Sequence, residues 1–204
     1  SYAANLMRQQ LHQFDDELLK PYFEIDTVMA GLFELANELF GVRVVERSTI
    51  HHTVGDSSPV VDVWHETVRA YDLFEGDERI GFFYTDWFPR AGKRGGAWMN
   101  AFYGREVKSD VTQPPLALLV CNQTPPVGDK PSLMSFREVE TLFHEFGHSL
   151  QHMLTTVDYP QAAGINNVEW DAVELPSQFM ENWCYHQETL LGLTEHVDTG
   201  ETLP

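Results

Sequence analysis

The feature that most constrains this chain is the spacing of the histidines in TLFHEFGHSLQHM, residues 141–153. His144 and His148 lie four residues apart, so a helix would place both imidazoles on one face, one turn from each other. Two neutral imidazoles so placed can direct their nitrogens at one ion at about 2.0–2.1 Å, the range for zinc. The alternative is a solvated polar helix face, but the apolar neighbours favour a buried face whose polar groups need partners. The pattern therefore predicts a metal site on a helix.

Two residues inside the pattern carry further expectations. Glu145 follows the first histidine and is rotated from it by roughly 100° around the helix, which places its carboxylate beside the metal. A general base that takes a proton from a metal-activated water has to occupy that position. Gly147 lowers the helix propensity by about 1 kcal/mol, which indicates close packing against a second helix or the approach of a substrate.

A catalytic zinc site also needs a third protein ligand and an open position. The downstream candidates are His152, Glu169, Asp171 and Glu174. His152 lies two turns beyond His144, too far along the same helix to share the ion easily, and is more typical of a core or surface histidine. Glu174 would lie opposite the histidine pair if the next helix packs antiparallel on the first. Asp171 could instead orient a ligand histidine, or it could serve only as a charge at a helix N-terminus.

The N-terminal part of the chain is predicted to be helical. Apolar spacing predicts an amphipathic helix over residues 1–19, and Pro21 marks its end. Asp26 is the predicted N-cap of a second helix that runs to about Phe40. Gly41 then occupies the position where a glycine commonly terminates a helix.

The middle of the chain predicts a small, mostly antiparallel sheet. Short β-branched and aromatic segments are separated there by Gly, Pro, Asp or Asn. A hairpin is expected with its turn near Gly76 and Asp77. The predicted strand segments are VRVVERS, VRAYDLFE, RIGFFYTDWF, GAWMNAFYG and LALLVCNQ.

The chain becomes helical again from Ser135. Ser135 and Glu138 fit a capping box, and the helix that follows should carry the histidines to about Thr156. A further helix is expected at least from Glu174, with Pro176 in its first turn, where a missing N–H costs little. The fold class is therefore α+β and mostly helical, with helices over 1–41, a small sheet and loops over 42–134, and zinc-binding helices over 135–204.

Composition excludes several classes of function. The 204 residues include 13 Lys and Arg against 31 Asp and Glu, a net charge of −18, which disfavours binding to nucleic acid. There is no basic amphipathic helix, lipidation motif or long apolar run, so no membrane association is expected. Cys121 and Cys184 are too few and too far apart for a disulfide framework, and no signal peptide is evident. These features predict a cytoplasmic or organelle-matrix protein that is not secreted.

Longer stretches of the chain resemble one family of enzymes. FHEFGHSLQHML and VEWDAVELPSQFMENW are similar to the zinc metallopeptidases of the thimet oligopeptidase and oligopeptidase A family, which includes the dipeptidyl carboxypeptidases. KPYFEIDTVMAGLFELANELFGV, GFFYTDWFPRAGKRGGAWM and LALLVCNQTPP resemble the same family, in the same order along the chain. The resemblance implies a zincin-type catalytic domain that cleaves short peptides inside a channel closed to folded proteins.

The resemblance also implies roles for particular residues. His144 and His148 would bind one zinc ion, Glu174 would complete the ligand set, and Glu145 would be the catalytic base. The glycine-rich stretch that contains Gly95, Gly96 and Ala97 resembles a part of these enzymes that lies beside the substrate cleft.

The chain departs from the family in one respect. The domain of the family continues well beyond ENW, into a segment of glycine, histidine and tyrosine residues that contact substrate and stabilise the oxyanion. We therefore expect an N-terminal half of a catalytic domain, inactive alone, that pairs with the missing C-terminal half or another copy. The alternatives are a non-catalytic protein that binds zinc or peptide, and a metal-free helical scaffold. A structural zinc site would have four protein ligands, whereas three are evident here.

Overall fold

The computed structural model describes residues 16–51 and 60–204. Most of the predicted first helix, residues 1–19, lies outside the described residues. Its last part, Asp16–Leu18, forms a single 3-10 turn, and a second such turn follows at Lys20–Tyr22.

The first α-helix, α1, spans Ile25–Phe40 and ends at Gly41, whose φ of 69° is left-handed, as the sequence predicted. The prediction that Asp26 caps this helix is wrong. Glu24 is the N-cap, because its carboxylate accepts a hydrogen bond from the backbone N–H of Thr27 at 2.9 Å. Glu24 also pairs as an isolated antiparallel bridge with Leu133, and this tertiary contact keeps its backbone extended while the helix begins one residue later.

In the described part of the chain nine strands follow α1, and five of them form the main sheet. The order in that sheet is β1-β4-β5-β9-β6, while β2 pairs with β3 and β7 pairs with β8 in two small separate ladders. The strands are β1 Val42–Arg47, β2 Thr49–His51, β3 Val61–Val63, β4 Val68–Glu75, β5 Glu78–Asp86, β6 Trp98–Tyr103, β7 Glu106–Lys108, β8 Val111–Gln113 and β9 Leu116–Val120.

The predicted sheet and hairpin are both confirmed. Strands β4 and β5 are antiparallel with Glu75 opposite Glu78, and Gly76 in the turn has a φ of 57°. All neighbouring strands of the main sheet are antiparallel except β5 and β9, which are parallel. Strand β9 lies between β5 and β6. Strand β6 is consequently an edge strand.

Three helices form the C-terminal part. Helix α2 spans Phe136–Met153, helix α3 Leu175–Trp183 and helix α4 Gln187–Gly192. The capping box of Ser135 and Glu138 is present, and Pro176 lies in the first turn of α3, as predicted. Helix α2 ends at Met153 rather than near 156, and the predicted final helix breaks between α3 and α4.

The core lies between one face of the main sheet and helices α1 and α2. Phe33 from α1, Phe83 from β5 and Phe146 from α2 meet there, with ring centroids 5.9–6.2 Å apart. Helix α2 contacts β5, β6 and β9 on one side and α3 on the other. The α+β class is confirmed, and strands occupy nearly as many of the described residues as helices do. Among the described residues, no helix combines the length and the apolar character that crossing a bilayer requires.

Candidate metal centre

Three side chains from two helices converge on one point. Glu174 Oε2 lies 3.2 Å from His144 Nε2 and 3.1 Å from His148 Nε2. The two imidazole rings are nearly perpendicular, at 87°, with their centroids 4.8 Å apart. Helical spacing on α2 places the histidines together, and the N-cap position of α3 supplies Glu174. The three residues that the sequence predicted as ligands are therefore adjacent in space.

The donor set fits a zinc ion. Tetrahedral ligands at about 2.0–2.1 Å from zinc are separated from each other by about 3.3 Å. The separations between Glu174 and each histidine, 3.1 and 3.2 Å, are close to that value. One ligand atom from each of the three residues lies within 4.8 Å of the others. Two imidazoles and one carboxylate also form a donor set typical of catalytic zinc.

Two further side chains hold the donors in place. Glu181 Oε1 accepts a hydrogen bond from His144 Nδ1 at 2.5 Å, which leaves Nε2 of that ring directed at Glu174. The buried hydroxyl of Ser177 donates to Glu174 Oε2 at 2.8 Å. Such outer contacts select the histidine tautomer and fix the orientation of a ligand carboxylate. In contrast, His148 Nδ1 is buried and has no hydrogen-bond partner among the described residues.

Glu145 lies beside the three donors and is buried, with 7% of its surface exposed. Burial raises the pKa of its carboxyl group, and the nearby Glu174 carboxylate adds to that rise. The charge of His144 and a hydrogen bond from the backbone of Met99 act in the opposite direction. A carboxylate with a raised pKa accepts a proton more readily, which is the property a general base needs near neutral pH. Burial lowers the pKa of His148, which favours the neutral ring that a metal binds.

A cleft opens at this group of residues. Its volume is about 380 Å³, and Ala97 contributes one wall. The remaining lining residues come from the two helices and are Arg137, Glu140, Thr141, His144, Glu145 and Glu181. Of the three predicted cleft residues, Ala97 lines the cleft directly, while Gly95 and Gly96 precede it in the same loop. Asn122 Nδ2 donates to the carbonyl of Gly96 at 2.6 Å and so anchors the loop next to the cleft.

Gly147 marks the contact between α2 and α3. A Cβ atom at this position would lie 2.6 Å from the Pro176 carbonyl oxygen and 2.7 Å from Ser177 Cα. Both are backbone atoms, so no side-chain rotation could relieve the overlap. Of the two alternatives for this glycine, close packing against a second helix is the one observed.

The other downstream candidates do not belong to the group of donors that converge among the described residues. His152 is fully buried, and its Nε2–H donates to the Tyr103 carbonyl at 2.8 Å, so it belongs to the core. Glu169 and Asp171 are both exposed. The contact that orients a ligand histidine belongs to Glu181, and the role foreseen for Asp171 stays a prediction.

Sequence reasoning missed Glu181 and Ser177. A signal for both was present, because Ser177 lies three residues and Glu181 seven residues after Glu174. Residues three and seven apart in a helix share a face. Only the packing of α3 against the histidines shows that this face contacts and orients the candidate ligands.

A helix that carries His-Glu-x-x-His, with the glutamate buried beside the two histidines, and a carboxylate from the following helix together form an arrangement typical of metal-dependent peptidases. Comparison with known sequences gives the family: the model of peptidase family M3 matches residues 1–204, and the chain belongs to that family.

The chain is similar over its whole length to oligopeptidases and dipeptidyl carboxypeptidases of plants and bacteria. An organellar oligopeptidase A of Arabidopsis thaliana is 50% identical over 210 residues, which cover 100% of this chain and 25% of the relative. The oligopeptidase A of Haemophilus influenzae is 49% identical, covering 100% of this chain and 28% of the relative. A dipeptidyl carboxypeptidase of Salmonella typhimurium is 37% identical with the same two coverages. The chain thus spans about a quarter of the length of the relatives it matches.

Proposed function

We propose that this chain carries the zinc-binding and proton-transferring groups of an oligopeptidase that hydrolyses bonds in short peptides. The observation that supports this most directly is the convergence of the three donor atoms, with Glu174 Oε2 within 3.2 Å of both ring nitrogens. His144, His148 and Glu174 would hold one zinc ion. Membership of peptidase family M3 supports the peptidase class independently of the geometry.

The proposed mechanism divides the chemistry between the ion and the protein. When bound, zinc supplies Lewis-acid chemistry, polarising an attacking water molecule and the scissile carbonyl. Glu145 takes a proton from the attacking water on one carboxylate oxygen and then delivers it to the leaving amine. Glu181 keeps the His144 ring oriented throughout.

The substrate is proposed to lie in an extended conformation along the edge of β6 that faces away from β9, which no other described strand covers. This edge strand begins one residue after Ala97, and the Met99 backbone contacts Glu145. An extended peptide can add to such an edge through main-chain hydrogen bonds, which bind it largely independently of its sequence. Gly95, Gly96 and Ala97 would form the wall at the start of this edge.

Two substitutions test the mechanism in the full-length protein. Glu145→Gln should leave zinc bound and lower kcat by about 10²–10⁴-fold, because proton transfer is lost. His144→Ala should lose both zinc and activity, because a ligand is removed. Metal content is measured by mass spectrometry, and activity with a quenched fluorescent peptide.

Glu140→Gln is the matched control, because Glu140 lines the same cleft without contacting the three donors. Its activity should remain within a few-fold of wild type. A Glu145→Gln enzyme as active as this control would contradict the role of Glu145, and a wild-type protein that binds zinc without cleaving any peptide would favour a non-catalytic binding protein.

A further inference from the structure

Arg137 lines the cleft at a fixed distance from the metal centre. It lies seven residues before His144 on α2, so both side chains project from the same helical face. Seven residues of α-helix correspond to about 10.5 Å along the axis. An extended peptide advances about 3.3 Å per residue, so about three substrate residues separate the scissile bond from Arg137.

The guanidinium of Arg137 is available for a ligand. It is exposed, and among residues 16–51 and 60–204 no carboxylate forms an ion pair with it. Two acidic residues that line the cleft with it already accept hydrogen bonds from other groups. Glu140 accepts a hydrogen bond from the hydroxyl of Tyr185, and Glu181 accepts one from His144.

The direction of β6 indicates which end of a substrate would reach Arg137. The backbone of Met99, near the start of β6, contacts Glu145, and the carbonyl of Tyr103 at its end accepts from His152. Strand and helix therefore run in the same direction, and Arg137 lies beyond the start of the strand. Antiparallel pairing is slightly more stable per residue than parallel pairing. A peptide paired in that way would direct its C-terminal side towards Arg137.

We infer that Arg137 binds a substrate carboxylate about three residues on the C-terminal side of the scissile bond, which makes it a specificity-determining residue. The inference rests on the proposed peptidase function. The carboxylate belongs either to an Asp or Glu side chain or to a free C-terminus at that distance. A guanidinium can hold either group through two parallel hydrogen bonds.

The substrate charge that Arg137 would prefer is opposite to the charge that the net electrostatic field of the chain attracts. A net charge of −18 attracts basic peptides, but salt screens that attraction beyond about 8–10 Å. A contact ion pair is screened less, and a partly exposed one changes affinity by up to about five-fold. The preference for a carboxylate should therefore be local to one substrate position and small in size.

The test uses the zinc-loaded full-length protein and peptides of one sequence. In one arm the peptides carry Asp or Asn at the second, third or fourth residue after the scissile bond, which is located by mass spectrometry of the products. In a second arm the peptides end at those positions as a free acid or an amide. The values of kcat/KM are measured for each pair, and dissociation constants are measured with the Glu145→Gln protein.

Wild type should favour the carboxylate of a pair by about three- to five-fold in kcat/KM and in affinity. Arg137→Gln should lose this preference, while Arg137→Lys should retain part of it. The matched control, Lys130→Gln, removes the same charge from an exposed position that does not line the cleft and should retain all of it. An equal preference in wild type and Arg137→Gln would overturn the inference. If no peptide is cleaved, the proposed function fails, while the affinities still decide the role of Arg137.

Discussion

Replacing Gly147 by alanine is the most informative single change, because two opposing effects act at one atom. Alanine is more favourable than glycine inside a helix by about 1 kcal/mol, so the substitution would stabilise the protein at a position with free space around it. At Gly147 the new Cβ would lie 2.6 Å from the Pro176 carbonyl oxygen, whereas ordinary contact begins at 3.4 Å. Helix α3 would have to move away from α2 by about 0.8 Å to restore van der Waals contact.

That displacement would directly change the positions of the three candidate metal ligands relative to each other. Glu174 is the N-cap of α3, and its carboxylate lies 3.1–3.2 Å from both histidine nitrogens. Overpacking costs about 1–3 kcal/mol. The overlap here is with backbone atoms at 2.6 and 2.7 Å, so we place the cost in the upper part of that range, about 2–3 kcal/mol, above the gain in helix propensity of about 1 kcal/mol. We expect a net loss of about 1–2 kcal/mol, a Tm lower by about 3–6 °C and a zinc affinity lower by at least about 10-fold.

The matched control is Gly192→Ala. Like Gly147, Gly192 lies in a helix, but unlike Gly147 it is exposed. A Cβ atom at Gly192 would meet nothing within 4 Å. This variant should be unchanged or up to about 1 kcal/mol more stable, with normal zinc affinity. Thermal unfolding and competition with a chelator measure both quantities. A Gly147→Ala protein that matches Gly192→Ala in both measurements would refute the argument that this contact positions Glu174.

Three further outcomes are expected. Glu181→Gln should weaken zinc binding by about 10–100-fold in a chelator titration, because His144 loses its charged partner, and unchanged binding would contradict that role. Burial lowers the pKa of His152 from 6.5, so the unfolded chain takes up the proton first, and stability should fall as the pH decreases below about 6.5. His152→Gln, which still offers a donor to Tyr103, should show a shallower loss in acid denaturation, and an identical pH profile would argue against this contribution. The 204-residue chain alone should cleave peptides at least about 10²-fold more slowly than a full-length protein at equal zinc loading, since oxyanion donors are expected outside it, and equal rates would contradict that expectation.

Local patterns in the sequence were sufficient for the elements that carry the site. The spacing of His144 and His148, the capping box of Ser135 and Glu138 and the turn at Gly76 were all predicted and all observed. Each depends on hydrogen bonds or side-chain contacts between residues no more than about four positions apart. A local pattern therefore contains the whole physical cause of such a feature.

The N-cap of α1 shows where local reasoning stops. The sequence predicted Asp26 as the cap, whereas the structure uses Glu24, a second acidic residue two positions earlier. The bridge between Glu24 and Leu133, 109 positions away along the chain, decides the choice. The insertion of β9 between β5 and β6 is of the same kind, because strand order depends on contacts between distant segments.

The grouping of the three candidate metal ligands was likewise decided by tertiary structure. From the residues alone, His152, Glu169, Asp171 and Glu174 were all candidates for the third ligand. Glu174 was favoured by an assumed antiparallel packing of the next helix and by the family resemblance. Packing of α3 on α2 selects it, because the absent side chain of Gly147 lets the two backbones approach closely. The same packing brings Glu181 to His144, a contact between residues 37 positions apart. The sequence determined which helix face could bind a metal, and the close approach of a second helix determined which carboxylates complete and orient that face.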